Sequence, residues 1–155
     1  MAGQIDARLK ELGIAVPAAA APVANYVGYV VTGNLVFVSG QVTLKDGQFE
    51  HLGKLGDNIS VAEGQAAARL CAINIIAQLK AACGGNLDRV KRIVKLGGFV
   101  NSTPDFSDQP KVINGASDLM VEVFGDKGRH ARAAVSAGSL PLGVAVEVDA
   151  VAEID

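Results

Sequence analysis

One arginine in the last quarter of the chain has surroundings that suit the binding of a small carboxylate. Arg132 lies in the run 131–135, Ala-Arg-Ala-Ala-Val, where its neighbours are small. Small neighbours leave space beside a guanidinium, whose planar fork can hold a carboxylate in two parallel hydrogen bonds. Glu147, Asp149 and Glu153 follow and supply three carboxylates. We therefore expect the chemistry in the segment 128–155.

The same segment is predicted to form two strands at the centre of a sheet, joined by a turn at Leu140-Pro141. The second strand alternates between an apolar face and a face that carries the three carboxylates. The apolar face consists of Val144, Val146, Val148, Ala150, Ala152 and Ile154, and the other face consists of Ala145, Glu147, Asp149, Val151 and Glu153. One face is therefore expected in the core, and Glu147 on the other.

The elements that must position this segment predict an α+β fold. In order, they are a short helix over 4–12, a hairpin over 29–39, a short strand and loop over 41–56, a helix over 60–85, a strand over 90–101, a helix over 110–125 and the two final strands. Gly33-Asn34 predicts a two-residue hairpin turn, Asp46-Gly47 predicts a further turn, and Ser60 with Glu63 predicts a capping box at the start of a helix. We expect a mixed, mostly antiparallel sheet with both long helices on one face.

Length and composition favour one domain over residues 22–155, preceded by an N-terminal extension over 1–21 that carries the short helix. The 14 basic and 16 acidic residues give a net charge of -2, which offers no electrostatic basis for nucleic-acid binding. The sequence contains no run of about 18 apolar residues, so we expect no membrane span.

The cysteines predict a reducing environment. Cys71 and Cys83 lie about 18 Å apart along the predicted helix, so they cannot pair with each other. Because the chain has neither a disulfide framework nor metal-ligand spacing, we expect a cytoplasmic location and no metal site.

The sheet face opposite the helices needs cover, because a sheet rich in Val and Ala is apolar on both sides. Self-association into a closed symmetric oligomer is the expected solution.

Three motifs follow one another along the chain. The first is Asn25-Tyr26 with the run 32–41, Thr-Gly-Asn-Leu-Val-Phe-Val-Ser-Gly-Gln; the second is Phe99-Val100-Asn101 with Asp105-Phe106; the third runs from Ala131-Arg132 through Leu140-Pro141 to Val146-Glu147-Val148. In this order and spacing they resemble the Rid family, also called the YjgF or L-PSP family. The resemblance extends from about residue 22 to residue 154.

The resemblance implies a homotrimer with a chorismate-mutase-like fold and ligand clefts between subunits. It also implies an activity: the hydrolysis of reactive 2-imino acids, or of their 2-enamine tautomers, to 2-keto acids and ammonia, with no cofactor. Such intermediates leak from pyridoxal-phosphate enzymes. The expected role is therefore the removal of damaging metabolites, with a small carboxylate as substrate.

Site residues follow from the same resemblance. Arg132 matches the arginine that binds the substrate carboxylate. Glu147 matches a pocket carboxylate that could position or deprotonate a water molecule, and burial in a cleft would raise its pKa toward the working range. Ala134 stands where deaminating relatives often carry cysteine, and Val27-Gly28 stands where Ser and Gln are common, which indicates a divergent subgroup. The remaining matched pocket positions are Tyr26, Ser39, Gly40 and Asn114.

Each site residue also has a structural interpretation. Arg132 could pair with Glu147 or Asp149 across neighbouring strands, and Glu147 could be a solvated or interfacial carboxylate. His130 could border the cleft, but we expect it at the surface. For three further positions the structural interpretation is a packing residue at Tyr26, a turn residue at Ser39 and a helix-surface residue at Asn114.

Two other functions stay open. A module that binds small carboxylates without turnover is suggested by Ala134 and by Val27-Gly28. Ribonuclease activity has been described for some relatives and would use the basic cluster Arg89, Lys91, Arg92 and Lys95. The aromatic residues that usually accompany such a cluster in single-strand binding are missing. A solvated strand edge is therefore the favoured interpretation of the basic cluster.

Overall fold

The last strand of the chain lies in the middle of the main sheet. The computed structural model describes residues 3–155. The elements are α1 (Gln4–Glu11), β1 (Tyr29–Thr32), β2 (Leu35–Gln41), β3 (Leu44–Lys45), β4 (Gln48–Phe49), α2 (Val61–Ala82), β5 (Val90–Asn101), α3 (Gln109–Phe124), β6 (Ala131–Ala137) and β7 (Val146–Ile154). The main sheet has the order β1-β2-β7-β5-β6, and only β5 and β6 are parallel. The prediction of a mixed, mostly antiparallel α+β sheet is confirmed.

The position predicted for β6 is wrong. Both final strands were expected at the centre of the sheet, but β6 is an edge strand and β5 lies between β6 and β7. The reason is the β5-α3-β6 connection, a helical crossover that sets β6 parallel to β5 on the side away from β7. Ile113 of α3 packs directly on Gly98 of β5, where a β-carbon would lie 2.6 Å from the Ile113 side chain.

The two long helices cover one face of the main sheet, as predicted. We call this side the helix face; it holds the buried residues Val146, Val148, Ala150, Ala152 and Ile154 of β7. The opposite side, which carries Glu147, Asp149, Val151 and Glu153, is called the open face. Along β7 the helix-face residues are buried and the open-face residues are only partly so. Strand periodicity alone therefore separates the core from the carboxylates.

Local sequence signals fix the ends of the helices and the turns. The Ser60 hydroxyl accepts a hydrogen bond from the Glu63 amide at 3.1 Å, and α2 begins at the next residue, Val61. The chain leaves α2 through Gly84 and Gly85, which both have positive φ. Asp46 and Gly47 also have positive φ, so the small β3-β4 hairpin turns through them as predicted. No helix within the described part of the chain is long and apolar enough to cross a membrane.

The N-terminal helix α1 docks on the rest of the domain through an unusual cap. Gly3 precedes α1 and has no side chain to accept hydrogen bonds from the first amides. Asp88 does so instead, accepting from the amides of Gln4 at 3.0 Å and Ile5 at 2.9 Å. The hydrogen bonds from Ile5 and Gln4 lower the pKa of Asp88. Because Leu9 of α1 is buried in the main core, the predicted short helix is part of the packed structure.

Candidate functional site

Arg132 is held at the edge of the sheet by α3. It lies on β6 opposite Leu96 of β5, on the helix face. One guanidinium nitrogen, Nη1, donates to the Asn114 side-chain oxygen at 2.7 Å and to the Ser117 hydroxyl at 3.2 Å. Asn114 and Ser117 are three residues apart on α3 and therefore share one side of that helix. Ala134 follows Arg132 on the same face of β6 and packs against the core. The structure thus brings together three residues that the family resemblance singled out: Arg132, Asn114 and Ala134.

Glu147 belongs to a second cluster, on the open face. Its carboxylate lies against Gly40, where a β-carbon would be 2.5 Å from the carboxylate oxygen Oε2. Gly40 stands at an irregularity of β2, because the register to β7 shifts between Val38 and Gln41. Ser39 precedes it, and its hydroxyl donates to the Val27 carbonyl at 2.6 Å. A side chain at position 40 would displace the Glu147 carboxylate.

Tyr26 is connected to the second cluster through its neighbour in the sequence, Val27. It is 54% exposed and lies in the bend before β1, next to Val27, whose carbonyl binds Ser39. Gly28 also has a structural role, because the buried Gln78 of α2 occupies the space that its side chain would need. Gln78 in turn donates to the Ala20 carbonyl at 3.1 Å. The departure from the family pattern at position 28 therefore coincides with a contact from α2.

The two clusters lie on opposite faces of the sheet within one chain. Arg132 pairs with Leu96, whereas Glu147 pairs with Phe99, three residues further along β5. An odd number of residues along a strand reverses the side-chain direction. Two strand spacings, about 10 Å, also separate β6 from β7. Arg132 and Glu147 of one chain therefore point away from each other.

This geometry overturns one structural interpretation of Arg132. Pairing with Glu147 or Asp149 across neighbouring strands is wrong, because β6 and β7 are not neighbours. The structural interpretation of Asn114 as a helix-surface residue is confirmed, because it is exposed on α3, and its side chain also contacts Arg132. Ser39 lies within β2, at its bulge, and not in a chain-reversing turn.

Sequence reasoning missed Ser117 and misplaced His130. The His130 ring, expected at the surface, is partly buried and hydrogen-bonded at both nitrogens. Nε2 contacts the Ser117 hydroxyl at 2.9 Å, and Nδ1 contacts the Gly128 carbonyl at 2.6 Å. The spacing of Asn114 and Ser117 on a predicted helix could have indicated Ser117, since residues three apart lie side by side.

The environment of Glu147 disfavours its charged form. Burial raises the pKa of the Glu147 carboxyl, and the negative charge of Asp149 on the same face raises it further. Asp149 lies against Gly97 of β5, two residues along β7 from Glu147. A carboxyl with a raised pKa is better suited to accept a proton near neutral pH than an ordinary carboxyl.

A cavity lies away from both clusters. It has a volume of about 760 Å³ and lies between the connector after α1, the β3-β4 hairpin and the outer side of α2. None of the predicted site residues lines it. Within residues 3–155 no group of three or more His, Cys, Asp or Glu side chains is placed to hold a metal ion.

Comparison with known proteins gives one family. Residues 6–154 match the family model described as "YjgF/chorismate_mutase-like, putative endoribonuclease". Protein TCP17 of Trypanosoma cruzi is 54% identical over 154 residues, which cover 99% of this chain and 96% of that protein.

Solved structures agree with the match. The crystal structure of Atu1372 from Agrobacterium tumefaciens has a TM-score of 0.92 and 51% identity, covering 97% of this chain and 92% of that one. The crystal structure of the YjgF gene product of E. coli has a TM-score of 0.64 and 26% identity, covering 87% of this chain and 92% of that one. The fold thus matches Atu1372 more closely than the E. coli protein.

Replacing Asp149 should change the titration of Glu147. We expect Asp149→Asn to lower the pKa of Glu147, because a neighbouring negative charge is removed while the burial remains. Carbon-13 NMR of the carboxyl groups measures this directly. Glu153→Gln, which removes a carboxylate from the same face, is the control and should leave the titration unchanged.

The sign for stability follows from the raised pKa. The folded state favours protonated Glu147. The contribution of this residue to the stability of the fold is therefore fully present below the ordinary carboxyl pKa, and it is lost as the pH rises through the raised pKa. Glu147→Gln should therefore increase stability at pH 7. A decrease, measured by denaturant unfolding, would contradict burial as the main cause.

A methyl group at position 40 should displace the Glu147 carboxylate. We expect Gly40→Ala to shift the carboxyl resonance of Glu147, because the new β-carbon would lie 2.5 Å from its oxygen. The loss of stability should stay below the roughly 1–3 kcal/mol of core overpacking, since a partly exposed side chain can rotate away. Gly138→Ala is the matched control, because nothing lies within 4 Å of its β-carbon position. An unshifted Glu147 resonance in Gly40→Ala would refute the contact.

Proposed function

Because the chain belongs to the YjgF/chorismate mutase-like family, we propose that it hydrolyses reactive 2-imino acids, or their 2-enamine tautomers, to 2-keto acids and ammonia. The observation that carries this proposal is the fixed guanidinium of Arg132. Two acceptors on α3 hold its Nη1 group, while the residue itself stays exposed. An exposed guanidinium in a fixed orientation is a ready carboxylate-binding group.

The chemistry requires orientation, a water molecule and a path for protons. A protonated imine carbon is already electrophilic, so no strong nucleophile is needed. In the proposed reaction Arg132 binds the substrate carboxylate, and Glu147 accepts a proton as water adds to the imine carbon. Protonated Glu147 then returns the proton to the nitrogen, the carbon-nitrogen bond breaks and ammonia leaves. The hydroxyl proton passes to the ammonia, which gives the 2-keto acid and ammonium. The raised pKa of Glu147 favours this proton transfer near neutral pH.

The site is proposed to form between two copies of the chain. In a single chain Arg132 and Glu147 lie on opposite faces, so one substrate cannot contact both. The open face also exposes about half of three apolar side chains, Val30, Phe37 and Val135. Burying such a face against another copy is favourable. A homotrimer, which the family resemblance implies, would bring Arg132 of one copy to Glu147, Ser39 and Tyr26 of the next.

The alternative functions have weaker support. A non-catalytic carboxylate-binding module would use the same Arg132 and Asn114, and it differs only in lacking turnover. Ribonuclease activity is suggested by the family description and by the exposed side chains of Lys91, Arg92 and Lys95. These cations lie at the start of β5, where pairing with β6 is only beginning, and the net charge of the chain is negative. Deamination uses the arranged groups of both clusters.

Replacing Arg132 should remove most of the activity. We expect Arg132→Ala to reduce kcat/KM for imino acid hydrolysis roughly 30-fold or more. In the proposed site the pair of Arg132 and the substrate carboxylate is buried between two copies, and losing one partner of such a pair costs about 2–5 kcal/mol. Imino acids would be generated in situ by an amino-acid oxidase, with release of keto acid and ammonia measured. Arg92→Ala, which removes an exposed arginine from β5, is the control.

The same experiment separates the three functions. Acceleration by wild type and by Arg92→Ala, but not by Arg132→Ala, supports the deaminase. Binding of a 2-keto acid by calorimetry without turnover of any imino acid would favour the binding module. RNA binding at low ionic strength, where phosphate contacts are strongest, would favour the ribonuclease.

Two inactive variants should restore activity to each other if the site lies between copies. Arg132→Ala and Glu147→Gln each remove one half of the proposed site. When they are co-expressed and assemble at random, about a quarter of the sites receive Arg132 from one copy and Glu147 from the other. We therefore expect up to about a quarter of wild-type activity in the mixture.

The control is the double variant, Arg132→Ala with Glu147→Gln on one chain, mixed with wild type. At a random equal mixture it should also leave about a quarter of the sites complete. Failure of the two single variants to restore any activity, while this control retains it, would place both groups of each site on the same chain.

A further inference from the structure

We propose that Ser117 and His130 are positioning residues that fix the Arg132 guanidinium and leave one edge of it free for the ligand. This inference rests on the proposed carboxylate-binding role of Arg132. Hydrogen bonds run from Arg132 to Ser117, from Ser117 to His130 and from His130 to the Gly128 carbonyl. Arg132 lies on β6 and Ser117 lies on α3. His130 comes just before β6, and Gly128 ends the short helical turn Gly125–Gly128.

When the His130 ring is neutral, the Gly128 carbonyl fixes the direction of each hydrogen bond. A carbonyl oxygen can only accept, so Nδ1 of His130 must carry a proton and donate to it. In the neutral ring Nε2 is then an acceptor, and the Ser117 hydroxyl donates to it. The Ser117 oxygen keeps its lone pairs for the Nη1 group of Arg132. We call this chain of hydrogen bonds, from Arg132 through Ser117 and His130 to the Gly128 carbonyl, the relay. Every group in it has a suitable partner, and the ring tautomer follows from one backbone contact.

The relay also decides which edge of the guanidinium is available. Nη1 has two hydrogens, and its two bonds, to Asn114 and Ser117, use both. Both hydrogen bonds that Arg132 donates to described residues leave from Nη1. The side edge formed by Nε and Nη2 therefore remains for the two oxygens of a carboxylate. The ligand is accordingly bound side-on, with α3 behind the guanidinium.

Such a relay lowers the cost of binding. A long exposed arginine loses side-chain freedom when it binds a ligand, and this loss weakens affinity. Contacts to α3 impose the loss before the ligand arrives. Ser117 and His130 are both partly buried, so water competes less for these bonds than at an open surface. The contribution of the relay should therefore be seen in ligand affinity.

Steady-state kinetics distinguish positioning from a general structural role. We expect Ser117→Ala and His130→Phe to raise KM for the imino acid roughly three- to tenfold with little change in kcat, because carboxylate binding is weakened in the ground state and the transition state alike. Ser117→Thr keeps the hydroxyl, and His130→Gln keeps an acceptor at similar reach, so both should restore KM. Ser107→Ala and His51→Asn are controls elsewhere in the chain, and asparagine tolerates the positive φ of residue 51. A fall in kcat at constant KM would indicate loss of folded enzyme and overturn the proposal.

A second measurement does not depend on activity. Nitrogen-15 NMR of the arginine side chains reports rotation of the guanidinium, and the Arg132 signal is assigned by its loss in Arg132→Lys. We expect slow rotation in wild type, in Ser117→Thr and in both controls, and faster rotation in Ser117→Ala and His130→Phe. Unchanged rotation in Ser117→Ala would refute the relay.

The two measurements separate the two proposals. If Arg132 rotates faster in Ser117→Ala but wild type neither hydrolyses imino acids nor binds 2-oxobutyrate by calorimetry, the relay holds and the proposed function fails. If wild type is active, Arg132→Ala is not, and both KM and rotation are unchanged in Ser117→Ala, the function holds and the relay fails.

Discussion

The arrangement of this protein depends on one constraint: a β-sheet has two faces, and the helices of a single chain cover only one of them. The helices α2 and α3 cover the helix face, which is built from Val146, Val148 and their neighbours along β7. The alternate residues of β7, including Glu147 and Asp149, are left on the open face. The same alternation along β5 and β6 directs Arg132 toward α3. One geometric rule thus produces the core, leaves an apolar surface uncovered and separates the two halves of the candidate site.

Features that depend on neighbouring residues could be predicted from the sequence. The alternation of β7, the cap of α2 at Ser60 and the turn at Asp46-Gly47 all follow from local preferences, and the structure confirms each. The site residues were found differently, through family motifs, because nothing in the spacing of Arg132 and Asn114 shows that they meet. Their contact joins a helix to a strand that begins after the helix has ended.

The order of strands could not be predicted from the same signals. Two consecutive strands with a Leu140-Pro141 turn indicate a neighbouring pair, but α3 must pack its apolar stripe on the sheet, and this places β6 beyond β5. Because of that displacement, pairing between Arg132 and Asp149 is impossible in one chain. His130 was misjudged for a related reason: its partners, Ser117 and the Gly128 carbonyl, become neighbours only when α3 packs beside the start of β6. Predicting either feature requires the tertiary packing.

The short helical turn Leu87–Arg89 fastens both ends of the described chain. Asp88 caps α1 at Gln4, and the next residue, Arg89, binds the side chain of Asp155 at 3.0 Å and its backbone carbonyl at 3.0 Å. Residues 4 and 155 are therefore held by adjacent positions of one turn. A linker of a few residues could join them into a closed ring without disturbing the sheet. The chain could then be reopened at the exposed Asp46-Gly47 turn, so the linear order of the elements can be rearranged while their packing is kept.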